Sequence, residues 1–210
     1  MIINNFIDGK FAAPIDGRML DNFNPADGTH IATIPRASAS DVDAAVLSAS
    51  KALPQSSALT ITERADWLDK IADALEEIKE ELAQTESLDT GKPISLARST
   101  DATRSISNFR FFAEFARSQQ PLVFEMSDAT NYVDISPLGI VGLITPWNLP
   151  LYLLTWKVAP ALLMGNCIIA KPSEMTPLTA NLLARSMQKL QLPDGVFNLV
   201  HGLGPEVGQA

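Results

Sequence analysis

The chain has 210 residues, 46% of them hydrophobic and 19% charged, and its 16 basic and 24 acidic side chains leave a net charge of −8. This composition is typical of a globular protein and excludes an intrinsically disordered chain, which would bury too little apolar surface. The acidic balance argues against a nucleic-acid-binding scaffold, because such a surface must be basic to neutralise phosphates.

Membrane, secretion and metal signals are also missing from the sequence. No stretch reaches the roughly 20 apolar residues of a membrane span, and Met1–Asn5 lacks the basic and apolar regions of a signal peptide. The single cysteine, Cys167, excludes a disulfide framework, and His30 and His201 show no zinc-ligand spacing. We therefore expect a cytoplasmic protein with no metal site that binds neither membranes nor nucleic acids.

The first 35 residues are typical of short strands joined by turns. Hydrophobic residues on either side of an Asp-Gly pair predict a hairpin across Phe6–Phe11. Turn-forming residues over Asn24–Gly28 precede a second strand-like segment, His30–Ile34.

Helices are predicted for the next 80 residues. Ser40 is the expected N-cap of a helix that ends near Leu53, because Pro54 cannot donate a backbone hydrogen bond. Thr60 and Glu63 form a capping-box pattern at the start of the second helix. The apolar face predicted for that helix consists of Ala65, Leu68, Ile71, Ala72, Leu75 and Ile78, and its opposite face is charged.

A break and a long amphipathic helix complete this region. Gly91-Lys92-Pro93 interrupts the helical pattern, which resumes from about Ile94 to Arg117. The apolar side of this last helix is predicted to comprise Ile106, Phe109, Phe112, Ala113 and Ala116.

From Tyr132 onward, strand-like and helical segments alternate. Strands are predicted at Leu138–Thr145, Cys167–Ala170 and Val196–Val200, and helices at Leu151–Met164, at Pro177–Leu190 and from Gly202–Gly208 onward. The order predicts an α/β fold with an incomplete doubly wound parallel (Rossmann-like) sheet, preceded by a small-stranded and helical N-terminal region. We expect residues 1–130 to form that N-terminal region and residues 131–210 the first half of the dinucleotide-binding domain.

Ligands of such sheets bind beyond the carboxyl ends of the strands. Glu174, after the second of these strands, can accept hydrogen bonds from an adenosine ribose and would repel a 2′-phosphate, and Lys171 can donate to the same ribose. A surface Lys–Glu pair at a turn is an equally good interpretation. The glycines of Gly202–Gly208 depart from the usual dinucleotide loop, and a simple strand-to-helix turn explains them better.

The loop after the first of these strands carries an amide between two prolines. Held by stiff neighbours, the Asn148 side chain can donate to a developing oxyanion. Alternatively, Trp147 lies in the core and Asn148 caps the following helix.

Several motifs, in order and spacing along essentially the whole chain, resemble the aldehyde dehydrogenase superfamily. They are Asp89–Pro93, Ile144–Pro150, Trp156–Leu162, Gly165–Asn166, Lys171–Pro177 and Pro193–Asn198. Leu149–Lys157 and Asn108–Phe112 most resemble the subgroup that acts on 2-aminomuconic and 2-hydroxymuconic semialdehydes. The resemblance implies NAD-dependent oxidation of an aldehyde, here a carboxylate-bearing muconic-type semialdehyde, to a carboxylic acid through a cysteine thiohemiacetal and thioester.

The resemblance also implies roles for individual residues. Asn148 becomes the catalytic amide, and Gly204 and Gly208 lie on the adenine side of the cofactor. The full set of implied NAD-binding residues is Ile144, Thr145, Pro146, Trp147, Lys171, Ser173, Glu174, Gly204 and Gly208. The side chains implied to wall the aldehyde tunnel are Leu149, Leu153 and Trp156.

Arg104 is a further candidate for substrate binding. It lies on the helix that in this family borders the substrate entrance, and a guanidinium matches a carboxylate bidentately. We therefore expect Arg104 to contact the substrate carboxylate. A surface salt bridge is the alternative.

Cys167 is predicted to be structural, because a thiol inside a buried strand has a raised pKa and is inert. The resemblance places the nucleophilic cysteine and the general-base glutamate after residue 210. We therefore expect the catalytic domain to be absent, the chain alone to be inactive, and the complete enzyme to be a homo-oligomer, either dimer or tetramer.

Two alternative functions remain open from the sequence. The chain can be a non-catalytic NAD-binding or interaction remnant, in which case an unfinished sheet would expose an apolar edge. The complete enzyme can also act on another small-molecule aldehyde, such as an aliphatic or betaine-type aldehyde.

Overall fold

A five-stranded mixed sheet runs through the computed structural model, which describes residues 1–120 and 122–210. In spatial order its strands are β2 (Lys10–Ala12), β1 (Asn5–Ile7), β9 (Phe197–Leu199), β8 (Cys167–Lys171) and β7 (Ile140–Ile144). β7, β8 and β9 are parallel, which confirms the predicted α/β fold with a parallel sheet. The hairpin β1–β2 joins this sheet antiparallel to β9, an extension that the sequence did not predict.

The strands outside this sheet form two separate hairpins. β3 (Met19–Phe23) pairs with β4 (His30–Pro35), which confirms the predicted second strand. β5 (Val123–Glu125) pairs with β6 (Thr130–Tyr132), and all six of their residues are exposed. Sequence reasoning missed this second pair because, unlike the hairpin β1–β2, it has no Asp-Gly turn between its strands.

Seven α-helices and two π-helical turns are found among the described residues. The helices are α1 (Ala39–Ala58), α2 (Ile61–Glu77), α3 (Lys79–Thr90), α4 (Ile94–Leu96), α5 (Thr103–Ser118), α6 (Pro150–Leu163) and α7 (Leu178–Lys189). The π-helical turns are Ala97–Ala102 and Gly204–Gly208. α1, α6 and α7 pack on the five-stranded sheet, and α2 and α5 pack on each other and on α6. No helix in residues 1–120 or 122–210 is long and apolar enough to cross a membrane.

The bounds predicted for the first helix were wrong at both ends. Ser38, not Ser40, is the N-cap of α1, and its backbone N–H donates to the Asp41 carboxylate at 2.8 Å. The helix continues through Pro54 to Ala58 although Pro54 lacks a backbone donor. Residues on both sides of Pro54, including Ala52 and Ser56, are buried, so packing offsets the lost hydrogen bond.

Local signals predicted the start of α2 and the end of α3 correctly. In the capping box the Glu63 N–H donates to Thr60 Oγ1 at 3.2 Å and the Thr60 N–H donates to Glu63 Oε2 at 2.7 Å. Gly91 ends α3 with a φ of 74°, a left-handed conformation that favours glycine. The helix predicted from Ile94 to Arg117 is present, but it contains the π-helical turn between α4 and α5.

Candidate functional site

The carboxyl ends of the three parallel strands meet at one edge of the sheet. Ile144 of β7 is in register with Lys171 of β8, and Ala170 is in register with Leu199 of β9. The Thr145 N–H continues this pairing by donating to the Lys171 carbonyl at 3.1 Å. The three candidate binding segments found in the sequence therefore lie side by side.

Lys171 and Glu174 form an ordered pair at this edge. Lys171 Nζ donates to Glu174 Oε2 at 3.0 Å and to the Pro172 carbonyl at 3.1 Å. The Lys171 side chain is buried, at 7% exposure, whereas that of Glu174 is 32% exposed. Ser173 Oγ accepts from the Met175 N–H at 3.2 Å and stabilises the turn between them. The buried lysine distinguishes this pair from a fully exposed surface pair, and the Glu174 carboxylate keeps accessible acceptor capacity.

In the loop between β7 and α6, Trp147 does not lie in the core and Asn148 does not cap the following helix. Trp147 is 58% exposed, and the N-cap of α6 is Leu149 rather than Asn148. Pro146 and Asn148 are also exposed, whereas Thr145 is buried and its hydroxyl has no partner among the described residues. The loop therefore presents Trp147 and Asn148 outward, which excludes the alternative that Trp147 is core and Asn148 a helix cap.

Two lysines contact backbone carbonyls at the two ends of this loop. Lys157 Nζ donates to the Ile144 carbonyl at 2.6 Å, and Lys92 Nζ lies 3.5 Å from the Asn148 carbonyl. Neither lysine was predicted as a site residue. Both lysines belong to motifs that carry the family resemblance, Lys92 to Asp89–Pro93 and Lys157 to Leu149–Lys157. Those motifs could therefore have indicated them as site residues.

The glycine-containing π-helical turn borders the same edge. A Cβ added to Gly208 would lie 3.5 Å from Ile144 Cδ1, so Gly208 and the half-exposed Ile144 are neighbours. A Cβ added to Gly204 would meet nothing within 4 Å, so Gly204 faces open space. The structure thus brings Gly208 and Ile144 together and leaves room beside Gly204.

A cavity of about 200 Å³ lies between α5 and α6. Its lining residues are Arg104, Ser107, Asn108, Phe111, Tyr152 and Trp156. Of the four predicted substrate residues, the structure brings Arg104 and Trp156 together here. Leu149 and Leu153 are half-buried and do not line this cavity.

The other lining residues were missed, although their spacing was readable. Positions 104, 107, 108 and 111 follow the i, i+3, i+4, i+7 pattern of one helix face, and positions 152 and 156 are one turn apart. The Asn108 amide links α5 to α6 by donating to Thr155 Oγ1 at 2.9 Å and to the Tyr152 carbonyl at 3.2 Å. Only the packing of α5 on α6 shows that these two faces meet.

Arg104 differs from the other arginines of the described chain. Six of them, Arg18, Arg36, Arg98, Arg110, Arg117 and Arg185, pair with carboxylates. Arg64 donates to backbone carbonyls. Within residues 1–120 and 122–210, Arg104 has neither kind of partner, and its guanidinium lies 6.0 Å from the centre of the Tyr152 ring. The surface salt bridge considered for Arg104 is therefore not formed.

Cys167 lies in β8 and is buried, as predicted. Burial raises the pKa of its thiol to about 11. Because the thiolate is the reactive form, this cysteine is not a nucleophile at neutral pH.

Comparison with known proteins places this geometry in a family. Residues 12–210 match the model of the aldehyde dehydrogenase family. The chain belongs to this family. The family's human 2-aminomuconic semialdehyde dehydrogenase is 44% identical over the whole chain, and the 2-hydroxymuconic semialdehyde dehydrogenase of Pseudomonas sp. (strain CF600) is 44% identical over 97% of it. These relatives confirm the resemblance inferred from the motifs. In both cases the chain spans 43% of the relative's length.

A solved structure of the family agrees with the fold in detail. The NAD⁺ complex of aldehyde dehydrogenase from Bacillus cereus superposes with a TM-score of 0.94 at 38% identity, covering 100% of this chain and 43% of that one. The agreement confirms that the mixed sheet and its helices are those of the family.

Proposed function

We propose that the complete polypeptide oxidises a carboxylate-bearing, muconic-type semialdehyde to the acid with NAD, and that this chain supplies cofactor-binding and aldehyde-binding residues. The observation that carries the proposal is the placement of Arg104. An arginine without an anionic partner in the described chain lines a cavity on α6, the helix whose preceding loop holds Asn148. A substrate with a carboxylate at one end and an aldehyde at the other fits this arrangement.

The residues at the sheet edge fit NAD. In the proposal the Glu174 carboxylate accepts from the adenosine ribose and Lys171 donates to it, while Ser173 stabilises their turn. Ile144, Thr145, Pro146 and Trp147 run along the cofactor. On the adenine side Gly204 leaves open space, and Gly208 lies against Ile144. When bound, NAD supplies the acceptor for the hydride that leaves the substrate carbon.

Asn148 is the catalytic residue that we assign within this chain. Its side chain is exposed at the end of a loop stiffened by Pro146 and Pro150, and its amide can donate to the oxygen that becomes negatively charged when the aldehyde carbon is attacked. Cys167 is not the attacking thiol, since it is buried. Because Cys167 is the single cysteine of the chain, the proposal assigns the nucleophile to polypeptide outside these 210 residues, and the family resemblance implies the same for the general base.

The substrate is held, in the proposal, by one charged and several apolar contacts. Arg104 binds its carboxylate bidentately. Trp156 covers its carbon chain, together with Leu149 and Leu153, which lie seven and three residues before it at helical spacing. Because the Arg104 contact requires a carboxylate, the proposal favours a muconic semialdehyde over a neutral aliphatic or a cationic betaine-type aldehyde.

We also propose that the complete enzyme is a cytoplasmic homo-oligomer. The hairpin β5–β6 supports the oligomer, because a two-stranded hairpin exposed on both faces is only marginally stable alone. Val123, Phe124 and Tyr132 are its exposed hydrophobic side chains. A partner subunit that covers them would remove this surface from water.

Steady-state NADH formation by the complete polypeptide tests the proposal. We expect turnover of 2-hydroxymuconic semialdehyde, and a KM that rises about tenfold or more in Arg104→Ala, as for loss of a charged hydrogen-bonded pair. Arg110→Ala is the matched control, because Arg110 lies on the same helix but pairs with Asp73. Equal KM values for Arg104→Ala and wild type would remove the carboxylate assignment. Faster turnover of hexanal or betaine aldehyde than of the semialdehyde would replace the substrate class.

A further inference from the structure

A group of buried charges lies directly beneath the loop that carries Asn148. Lys92 Nζ is 2.9 Å from Asp101 Oδ1 and 3.7 Å from Glu86 Oε1. The side chains of Asp101 and Glu86 are 0% and 1% exposed, and that of Lys92 is 13% exposed. Burying charge is costly unless the charge is paired, so the position of the Lys92 ammonium is set by these two carboxylates.

The backbone around the two carboxylates is built to hold them. Asp101 lies in the π-helical turn Ala97–Ala102, and such turns inside helices are frequent at functional sites. Glu86 Oε2 accepts from the Thr179 hydroxyl at 2.7 Å, which ties α3 to α7. Three separate elements of the fold, the π-helical turn, α3 and α7, therefore contribute to holding Lys92 in place.

The same ammonium reaches the Asn148 loop. Its third neighbour is the backbone carbonyl oxygen of Asn148, at 3.5 Å. The carbonyl and the side chain of one residue share a Cα, so holding the carbonyl restricts the directions that the Asn148 amide can take. At the other end of the loop, Lys157 holds the Ile144 carbonyl.

We infer that Lys92 is a positioning residue for Asn148: anchored on Asp101 and Glu86, its ammonium holds the Asn148 carbonyl and so orients the amide that meets the aldehyde oxygen. The catalytic part of this inference rests on the proposed function of Asn148. The contact itself does not, and it can be measured without turnover.

Selective labelling reports the contact on the 210-residue chain. With ¹³C-carbonyl asparagine and ¹⁵N-leucine, carbonyl–amide cross-peaks arise only from Asn–Leu pairs, and the sequence contains Asn148–Leu149, Asn181–Leu182 and Asn198–Leu199. Lys92→Met is expected to shift the Asn148 carbonyl upfield, as for loss of a hydrogen bond, and to shift it further than the other two. Lys92→Arg keeps the charge and should shift it less. An unmoved Asn148 carbonyl in Lys92→Met would overturn the inference.

Kinetics of the complete polypeptide test the consequence. Lys92→Met should lower kcat about tenfold while the KM for aldehyde and the Kd for NAD stay within about twofold, because an amide that is poorly oriented stabilises the developing oxyanion less. Lys92→Arg should recover most of kcat. Lys79→Met is the matched control, since Lys79 pairs with Glu76 on the surface at the start of α3.

The outcomes separate the two proposals. Unchanged kcat in Lys92→Met, or equal losses in Lys92→Met and Lys79→Met, would refute the positioning role while the proposed activity stands. A wild-type enzyme that forms no NADH would refute the proposed activity, and the carbonyl shift would still decide the contact. If Lys92→Met does not fold because Asp101 is left unpaired, Lys92→Met/Asp101→Asn removes both charges and should show the same carbonyl shift and kcat loss.

Discussion

The guanidinium carbon of Arg104 on α5 lies 6.0 Å from the centre of the Tyr152 ring on α6. The Tyr152 ring in turn meets Trp156 edge-to-face, with 5.8 Å between ring centres. A cation over an aromatic face is attracted by the ring quadrupole, so Tyr152 favours one side of the cavity for Arg104. The pair joins a positive charge to flat aromatic surface, which suits a planar, unsaturated carboxylate.

Replacing Tyr152 tests this pairing. We expect Tyr152→Leu to raise the KM for 2-hydroxymuconic semialdehyde about fivefold, since an exposed cation–π contact contributes about 1 kcal/mol. Tyr152→Phe keeps the ring and should stay close to wild type. The KM for hexanal, which has no carboxylate, should change little in either variant. A fivefold rise for both aldehydes would mean that Tyr152 acts through cavity shape and not through Arg104.

Glu174 is expected to set cofactor affinity and selectivity. Glu174→Gln should weaken NAD binding about tenfold, the loss expected for a hydrogen bond to a charged acceptor, and should narrow the preference for NAD over NADP. Titration calorimetry with both cofactors measures the two effects. Glu77→Gln, an exposed glutamate of α2, serves as the control. An unaltered Kd for NAD in Glu174→Gln would place the ribose elsewhere.

His201 should make stability depend on pH. Its ring is completely buried, neither ring nitrogen has a partner among the described residues, and burial, reinforced by Lys171, lowers its pKa to about 3. The pKa of His201 is lower in the folded state than in the unfolded state, where it is about 6.5. Above pH 6.5 the ring is therefore neutral in both states and its protonation does not reduce stability. As pH falls from about 6.5 toward 3, the unfolded state takes up a proton that the folded state does not, so stability decreases.

Urea unfolding at several pH values measures this effect. Between about pH 6 and 4, the free energy of unfolding of wild type should fall relative to His201→Leu by about 1.4 kcal/mol per pH unit, the slope for one proton. His30→Gln is the control, because His30 is exposed. Identical slopes for wild type and His201→Leu would show that the buried ring is not the titrating group.

Cys167 should react as a buried structural thiol. In the 210-residue chain we expect one slow equivalent with a thiol reagent under native conditions, becoming fast in denaturant, because burial raises its pKa to about 11. Cys167→Ala should remove the signal in both conditions, and Cys167→Ser should cost stability because a hydroxyl is then buried in β8. A fast native equivalent would contradict the burial of this strand.

Local features of the fold could be predicted because neighbouring residues cause them. The Asp8-Gly9 turn requires positive φ values, which are 55° and 71°, and such a turn joins adjacent strands wherever it occurs. The Thr60–Glu63 capping box and the apolar spacing of α2 likewise depend on residues within one helix. Strand–helix alternation after Tyr132 predicted the parallel sheet and hence the edge where Asn148, Lys171 and Gly208 meet.

The sequence by itself determined the family motifs, the helix and strand types and the edge at which the candidate cofactor residues gather. Only the tertiary structure decided that α1 runs through Pro54, that the N-terminal hairpin joins β9, that Arg104 faces Tyr152, and that Lys92 reaches Asn148. Each of these four depends on residues far apart in the chain or on the burial of a helix face. Their free energies come from packing and from pairing buried charge, neither of which leaves a local pattern.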